Sequence, residues 1–373
     1  MEGMGLRIAP RREVSTLSIA ESQLVEIARA FMGEPKLVIL DEPTSSLHAA
    51  EVDLVFAAVR NLASRGIAVI YVSHRMSEIR EISDSATVVR DGKVIDTVAI
   101  SEARTQDIVS MMLGRSEAAA ERLVTRSGGK AILSVRDLTV PPKLSSISFD
   151  LHEGEVLGIA GILGSGRTEL LRAIAGLDHA ASGDVMLGGR NITQASFRAH
   201  VRAGIGFTPE NRKTEGILPL LGVDENITFS DFNSISDGPV LSWSRLRQAG
   251  AKVIDQLQIK TADGATPIGT LSGGNQQKAV IGRWLHANSR VLLLDEPTRG
   301  VDVESKGQIY AICRELASKG RAVIFVSSEA EELPNVCDRT IVLADGRVAA
   351  EFRGEEIDAD RLMAASMAEE AAV

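Results

Sequence analysis

Short unbroken apolar runs, separated by longer amphipathic stretches, set the rhythm of this chain. Leu37–Leu40, Ala68–Val72, 155–160 and Val291–Leu294 are too short for helices and carry almost no polar alternation. Runs of this kind predict parallel strands covered on both faces. Helices are predicted between them at about 23–32, about 50–64 and from about Arg167 onward. Residues 132–139 and 146–151 alternate instead, which predicts an antiparallel edge sheet. Residues 211–265 are more polar and helix-like, an insertion between two strands. The Ala/Glu-rich end, 356–373, reads as a helix with a frayed tail. The fold class is therefore α/β: a mostly parallel sheet flanked by helices, with an antiparallel edge sheet and a helical subdomain.

The pattern occurs twice. Residues 17–96 recur at 271–350 with a constant offset of 254 and no gap. Asp41-Glu42-Pro43-Thr44 answers Asp295-Glu296-Pro297-Thr298, and Asp91-Gly92 answers Asp345-Gly346. A long fixed offset means two copies of a domain rather than a solenoid repeat. The expected organisation is a partial first domain at 1–114, a linker at 115–130, a complete second domain at 131–355 and a tail at 356–373. The second copy begins near Ala131, so the same offset leaves roughly 120 residues of the first copy upstream of Met1. The chain is thus expected to be truncated at its start.

Composition narrows the class. Apolar content of 44% and charged content of 24% are those of a globular protein. A net charge of −9 argues against a general nucleic-acid or anionic-membrane surface. Cys313 and Cys337 are too few and too far apart for a zinc motif and fit a reducing compartment. No apolar run approaches the ~20 residues that span a bilayer.

The chemistry lies at the strand ends. Gly161-Ile-Leu-Gly164-Ser165-Gly166-Arg167-Thr168 follows a predicted strand and opens a helix. Its glycines let backbone amides wrap phosphates, the helix start adds positive potential, and Thr168 suits magnesium. Glu169 continues the motif. Arg167 departs from the usual lysine; it keeps the charge on a bulkier planar fork. Asp41-Glu42 and Asp295-Glu296 each end an apolar strand, the first carboxylate suited to the magnesium shell and the second to polarising water. Leu271-Ser272-Gly273-Gly274-Asn275 opens a helix, with Ser272 as its expected cap. The first copy has Ser18-Ile19-Ala20-Glu21 there.

This ordered set resembles the nucleotide-binding subunits of ATP-binding cassette (ABC) transporters. Leu17–Gln23, the loop running through Glu169, and Thr208-Pro209-Glu210-Asn211-Arg212-Lys213 look like the tandem ATPases of bacterial monosaccharide importers of the ribose, galactose and xylose type. The resemblance implies ATP and Mg2+ as cofactors. It implies two composite sites, each closing one copy's phosphate loop with the other copy's signature. One would use Asp41, Glu42 and the switch residue His74, completed by Ser272, Gly273, Gly274 and Asn275. The other would use Gly161, Gly164, Ser165, Gly166, Arg167, Thr168, Glu210, Asp295, Glu296, Asp302 and Ser328, facing Ser18.

That second site is compromised: Ser328 stands at the His74 position, Ile19 and Ala20 replace glycines, and Glu21 adds negative charge. It is expected to hold nucleotide and turn it over poorly. The partners implied are membrane permease subunits and, through them, a periplasmic sugar-binding protein, on the cytoplasmic face of the inner membrane. Two alternatives stay open: a non-catalytic nucleotide-binding remnant, and a non-transport cassette protein.

Overall fold

The computed structural model describes residues 9–367 apart from 10, 32, 34, 45–46, 48, 74–75, 91, 105–106, 109–110, 112–128 and 163, with backbone alone at 15, 19–20, 31, 49–51, 77 and 90. The chain divides into two units, one assigned Met1–Ala120 with Asp302–Glu304 and the other Glu121–Val301 with Ser305–Val373. Most of the expected linker, and the end of the tail, lie outside the described residues.

The first unit contains α1 (Ile19–Phe31), β1 (Leu37–Asp41), α2 (Ala49–Ser64), β2 (Ala68–Val72), α3 (Met76–Ile82), β3 (Ser85–Arg90) and β4 (Lys93–Ala99). Strands β1 and β2 pair in parallel, while β3 and β4 form a separate antiparallel pair. Helix α1 starts four residues before the sequence expectation because its N-terminus carries a reciprocal cap. The Glu21 amide donates to Ser18 Oγ at 3.1 Å, and the Ser18 amide donates to Glu21 Oε2 at 2.8 Å. Two amides that a helix start leaves without partners are satisfied at once.

The second unit opens with β5 (Ala131–Val140), β6 (Leu144–His152), β7 (Val156–Ala160) and α4 (Arg167–Ile174). It continues through β8 (Ser182–Leu187), β9 (Arg190–Asn191), α5 (Phe197–Ala203) and β10 (Ile205–Thr208). The inserted segment holds α6 (Val223–Thr228), the short pair β11 (Ser236–Asp237) and β12 (Val240–Leu241), and α7 (Trp243–Gln256). Then come α8 (Gly273–His286), β13 (Val291–Asp295), α9 (Val303–Ser318), β14 (Ala322–Val326) and α10 (Leu333–Val336). The unit ends with β15 (Arg339–Ala344), β16 (Arg347–Arg353) and α11 (Ala359–Met367).

Six strands form one sheet in the order β10-β13-β14-β7-β15-β16, parallel except for β16. Strands β6-β5-β8-β9 form the antiparallel edge sheet. Every residue of β7, β10, β13, β14 and β15 is buried. Alternate side chains point to opposite faces. Leu292, Leu294, Val323 and Phe325 pack among α6–α9, while Leu293, Ile324, Leu157 and Ile159 pack toward α4 and the edge sheet. Burial on that scale is worth about 1.5–3 kcal/mol per large aliphatic side chain.

The duplication extends to geometry. Strand β1 lies 254 residues before β13, β2 before β14, and α2 before α9, at matching bounds. Even the register shifts recur, at Val88/Val89 and at Val342/Leu343. In the second unit β7 joins β14 to β15. Among the described residues no strand joins β2 to β3 in that way.

The consequence is visible on one face of β1–β2. Leu37, Ile39, Ile70 and Val72 are 48%, 63%, 48% and 44% exposed, whereas their counterparts Val291, Leu293, Ile324 and Val326 are buried. An apolar strand face of this kind promotes association. Ile39→Lys is expected to shift the chain toward monomer on size-exclusion chromatography with little loss of helix content. An unchanged elution profile would show that this face does not drive association.

Candidate nucleotide-binding site

The parallel strands of the second unit end together, and the residues singled out by sequence gather at those ends. The loop from Gly161 to Gly166 links β7 to α4. Gly161 has φ +154, and a Cβ there would lie 2.5 Å from Ser165 Oγ and 2.6 Å from the Leu343 carbonyl. Gly166 has φ +96 and would press Leu144. Both positions need glycine for this loop to close. No side chain caps α4 at Gly166, which leaves its first amides available to an anion.

Asp295 is the last residue of β13 and is fully buried; Glu296 follows with φ +46 and is 8% exposed. Neither Asp295 oxygen makes a well-formed hydrogen bond, although the Thr168 hydroxyl is close enough to favour its charged form, and Ser165 Oγ is likewise buried without a partner. Buried polar atoms left this way are what a phosphate and a divalent cation would satisfy. The residues present therefore fit a magnesium–triphosphate ligand, with Thr168 and Asp295 on the cation and the loop amides on the phosphates.

Burial, reinforced by the charges of Glu296 and Glu210, pushes Asp295 up to about 7. Burial also raises Glu296, and Arg167 and Ser328 offset part of that rise. A raised carboxyl favours its protonated form in the folded state. For Asp295, that stability is fully present below the unfolded value of 3.8 and is lost as pH climbs through about 7. The magnesium-free chain is thus expected to melt at lower temperature at about pH 8 than at about pH 5, and Asp295→Asn to flatten the slope. An unchanged slope in the variant would refute the assignment.

Around these two carboxylates stand Arg167, Ser328 and Glu210. Arg167 Nη1 lies 3.5 Å from Glu296 Oε1 and donates to the Ser327 carbonyl at 2.7 Å. Ser328 Oγ donates to Glu296 Oε2 at 3.1 Å. Glu210 forms an ion pair with Arg299. Glu169 sits in the first turn of α4, and Asp302 is exposed just ahead of α9.

The signature residues are held differently. Ser272 precedes α8, yet its hydroxyl makes no capping bond, contrary to the sequence expectation. It accepts instead from Asn275 Nδ2 at 2.9 Å, and Asn275 Oδ1 accepts the Lys260 amide at 2.8 Å. A Cβ on Gly273 would meet Arg212 Nη2 at 2.5 Å and the Gly300 carbonyl at 2.7 Å, and one on Gly274 would run into Ser305. The start of α8 is therefore not filled by a side chain. The start of α1 is, because Glu21 bonds to the Ser18 amide and pairs with Arg12 at 2.7 Å. The bond from that amide holds the Glu21 carboxyl below its usual range, helped by Arg12.

In the first unit Asp41 and Glu42 end β1 and are exposed, unlike their buried counterparts. His74 lies outside the described residues.

Two features escaped the sequence reading. The first is a buried carboxylate behind each strand-end loop. Glu332 Oε2 accepts from Thr298 at 2.6 Å and from Ser327 at 2.8 Å. Glu78 accepts from Thr44 at 2.7 Å and from Ser73 at 2.8 Å. Both sets keep the offset of 254, and that shared spacing was the available signal. The second is Arg212, buried, whose Nη1 and Nη2 donate to the carbonyls of Arg299 at 2.5 Å and Gly300 at 2.8 Å. It ties the segment after β10 to the loop after β13.

Comparison with known proteins agrees with this architecture. A family profile described as ABC transporter matches residues 1–45 and 144–299. The chain is 52% identical over 370 residues to an uncharacterized ABC transporter ATP-binding protein, YphE, of Escherichia coli, covering 98% of this chain and 73% of that protein. It is 41% identical to a ribose import ATP-binding protein, RbsA 3, of Rubrobacter xylanophilus, covering 97% and 72%. It is 39% identical to a galactose/methyl galactoside import ATP-binding protein, MglA, of Fusobacterium nucleatum, covering 96% and 73%. A nucleotide-free ATP-binding cassette of an ABC transporter superposes with a TM-score of 0.56 at 23% identity, covering 65% of this chain and 99% of that one. With the glycine loop, the strand-end carboxylates and the cassette sheet all in place, the chain belongs to the ABC transporter ATPases.

Proposed function

We propose that this chain is the ATP-binding subunit of a monosaccharide importer, working on a separate membrane permease. The observation that carries the reading is the convergence of the Gly161–Thr168 loop on Asp295 and Glu296 within a chain similar, over nearly its whole length, to ribose and galactose import proteins. Mg2+–ATP would supply the free energy of phosphoryl transfer. The chain's own groups would do the holding. The loop amides and the start of α4 bind phosphate, Thr168 and Asp295 take the cation, and Glu296 stands where water would be activated.

A permease partner is supported by two further features. No helix among the described residues is long and apolar enough to cross a membrane. The 211–265 insertion also leaves Leu220 89% exposed and Trp243 58% exposed, and Phe229 and Phe232, which stack edge to face, are exposed too. Apolar side chains grouped in one subdomain fit a protein contact. A periplasmic binding protein would deliver the sugar to that permease.

The test is uptake of labelled ribose, galactose and xylose by cells with the gene intact, deleted, or carrying Asp295→Asn. Loss of uptake of one sugar on deletion, and its failure to return with the variant, supports the reading. Unchanged uptake of all three sinks it.

A further inference from the structure

Two departures from a standard phosphate-loop site converge on one atom group. Arg167 replaces the expected lysine, and Ser328 stands where the first copy has His74. In the structure both engage Glu296. The guanidinium is buried, 3.5 Å from Glu296 Oε1 and bonded to the Ser327 carbonyl, while Ser328 donates to Glu296 Oε2 at 3.1 Å. A lysine ammonium is a point charge on a flexible stem; the arginine head brings one nitrogen, Nη1, between the carbonyl and the carboxylate. Substituting both residues therefore produces a single arrangement. Glu296 is gripped from two sides.

We propose that Arg167 is a positioning residue for Glu296, so that the strand-end carboxylate and the terminal phosphates of a bound nucleotide compete for one guanidinium. With Glu296 paired, it is turned from water, and the site retains nucleotide rather than hydrolysing it. Glu210, another acid near Asp295, is paired with Arg299 at a more exposed position. The inference rests on the reading of 161–168 as a nucleotide loop and adds how that site is restrained.

The test is a double-mutant cycle on the full chain, read as the affinity for a non-hydrolysable ATP analogue and for ADP, each with magnesium. Glu296→Gln removes the competitor and is expected to tighten binding of the analogue about fivefold, the change that ~1 kcal/mol makes, with little effect on ADP. In the Arg167→Gln background the same substitution is expected to give no gain. If Arg167→Gln does not fold, as judged by its melting curve, Arg167→Met takes its place. Methionine keeps the apolar stem and removes the charge, so no gain is again expected. A gain that persists without Arg167, or no gain in Glu296→Gln, overturns the inference while leaving the nucleotide site intact. No binding by the unmodified chain overturns that reading itself, and the inference falls with it.

Discussion

Gly161→Ala is expected to lower Mg2+–ATP affinity about a hundredfold, with the fold of the second unit otherwise preserved. Gly161 sits at φ +154, where an L side chain is strained. Its added Cβ would lie 2.5 Å from Ser165 Oγ and 2.6 Å from the Leu343 carbonyl. The serine can rotate. The carbonyl moves less readily, because Leu343 is paired with Val348 of β16 and the residue before it, Val342, with Ala160 of β7. The loop must shift instead, carrying its amides out of position for the phosphates. Calorimetric titration of the variant checks this, with circular dichroism to confirm the fold. Binding within a few-fold of the unmodified chain would mean that the loop is not the phosphate cradle.

Arg339→Met is expected to cost about 3–5 kcal/mol, because it leaves a buried carboxylate without its counter-ion. Arg339 Nε donates to Glu155 Oε1 at 2.7 Å, and both side chains are less than 9% exposed. The same guanidinium bonds the Asp150 carbonyl, so it fastens β15 to the entrance of β7 and the end of β6. Burial alone would raise Glu155, but Arg339 more than offsets it and holds the carboxyl below its usual range. In the unmodified chain this pair therefore contributes stability above the unfolded carboxyl value and loses it on acidification. The variant reverses the sign: a buried Glu155 left with only the His152 amide and ring beside it can take a proton, so stability should recover as pH falls. Melting curves of both proteins across the acid range decide it. Parallel pH profiles would contradict the pairing argument. The first copy has Ser85 at the equivalent position.

The sheet was legible in the sequence because it rests on local information. Short continuous apolar runs at Leu37, Ala68 and Val291 read as parallel strands, and the pairings agree. Burial on both faces holds for β13 but not for β1 and β2, one face of which is exposed. The fixed offset carried the rest, down to the shared register shift. Helix α1 was placed too late because apolar periodicity, not the Ser18–Glu21 cap, was used to locate its start. The cap was readable; it is the spacing of serine and glutamate three apart ahead of an apolar stretch.

The site was legible in its parts and not in its connections. Gly161–Thr168, Asp295 and Glu296 each announce themselves by residue type and position. What Arg167 touches does not, because Glu296 lies 129 residues further along and the sheet order alone brings them together. The same holds for Arg212, whose partners Arg299 and Gly300 are 87 and 88 residues away. Glu21 counts against the second site by its negative charge, and it has a further role. It is a structural cap, bonded to Ser18 and paired with Arg12, that closes the start of α1 to any other anion.

The central claim is that one phosphate loop, between β7 and α4, gives this chain its nucleotide site. Equilibrium titration with magnesium and ATP at about pH 8, where Asp295 is ionised, tests it most directly. The expected result is one nucleotide per chain, displaced by ADP and weakened when magnesium is removed. Two nucleotides per chain, or one bound as tightly by Asp295→Asn with magnesium as by the unmodified chain, would contradict it.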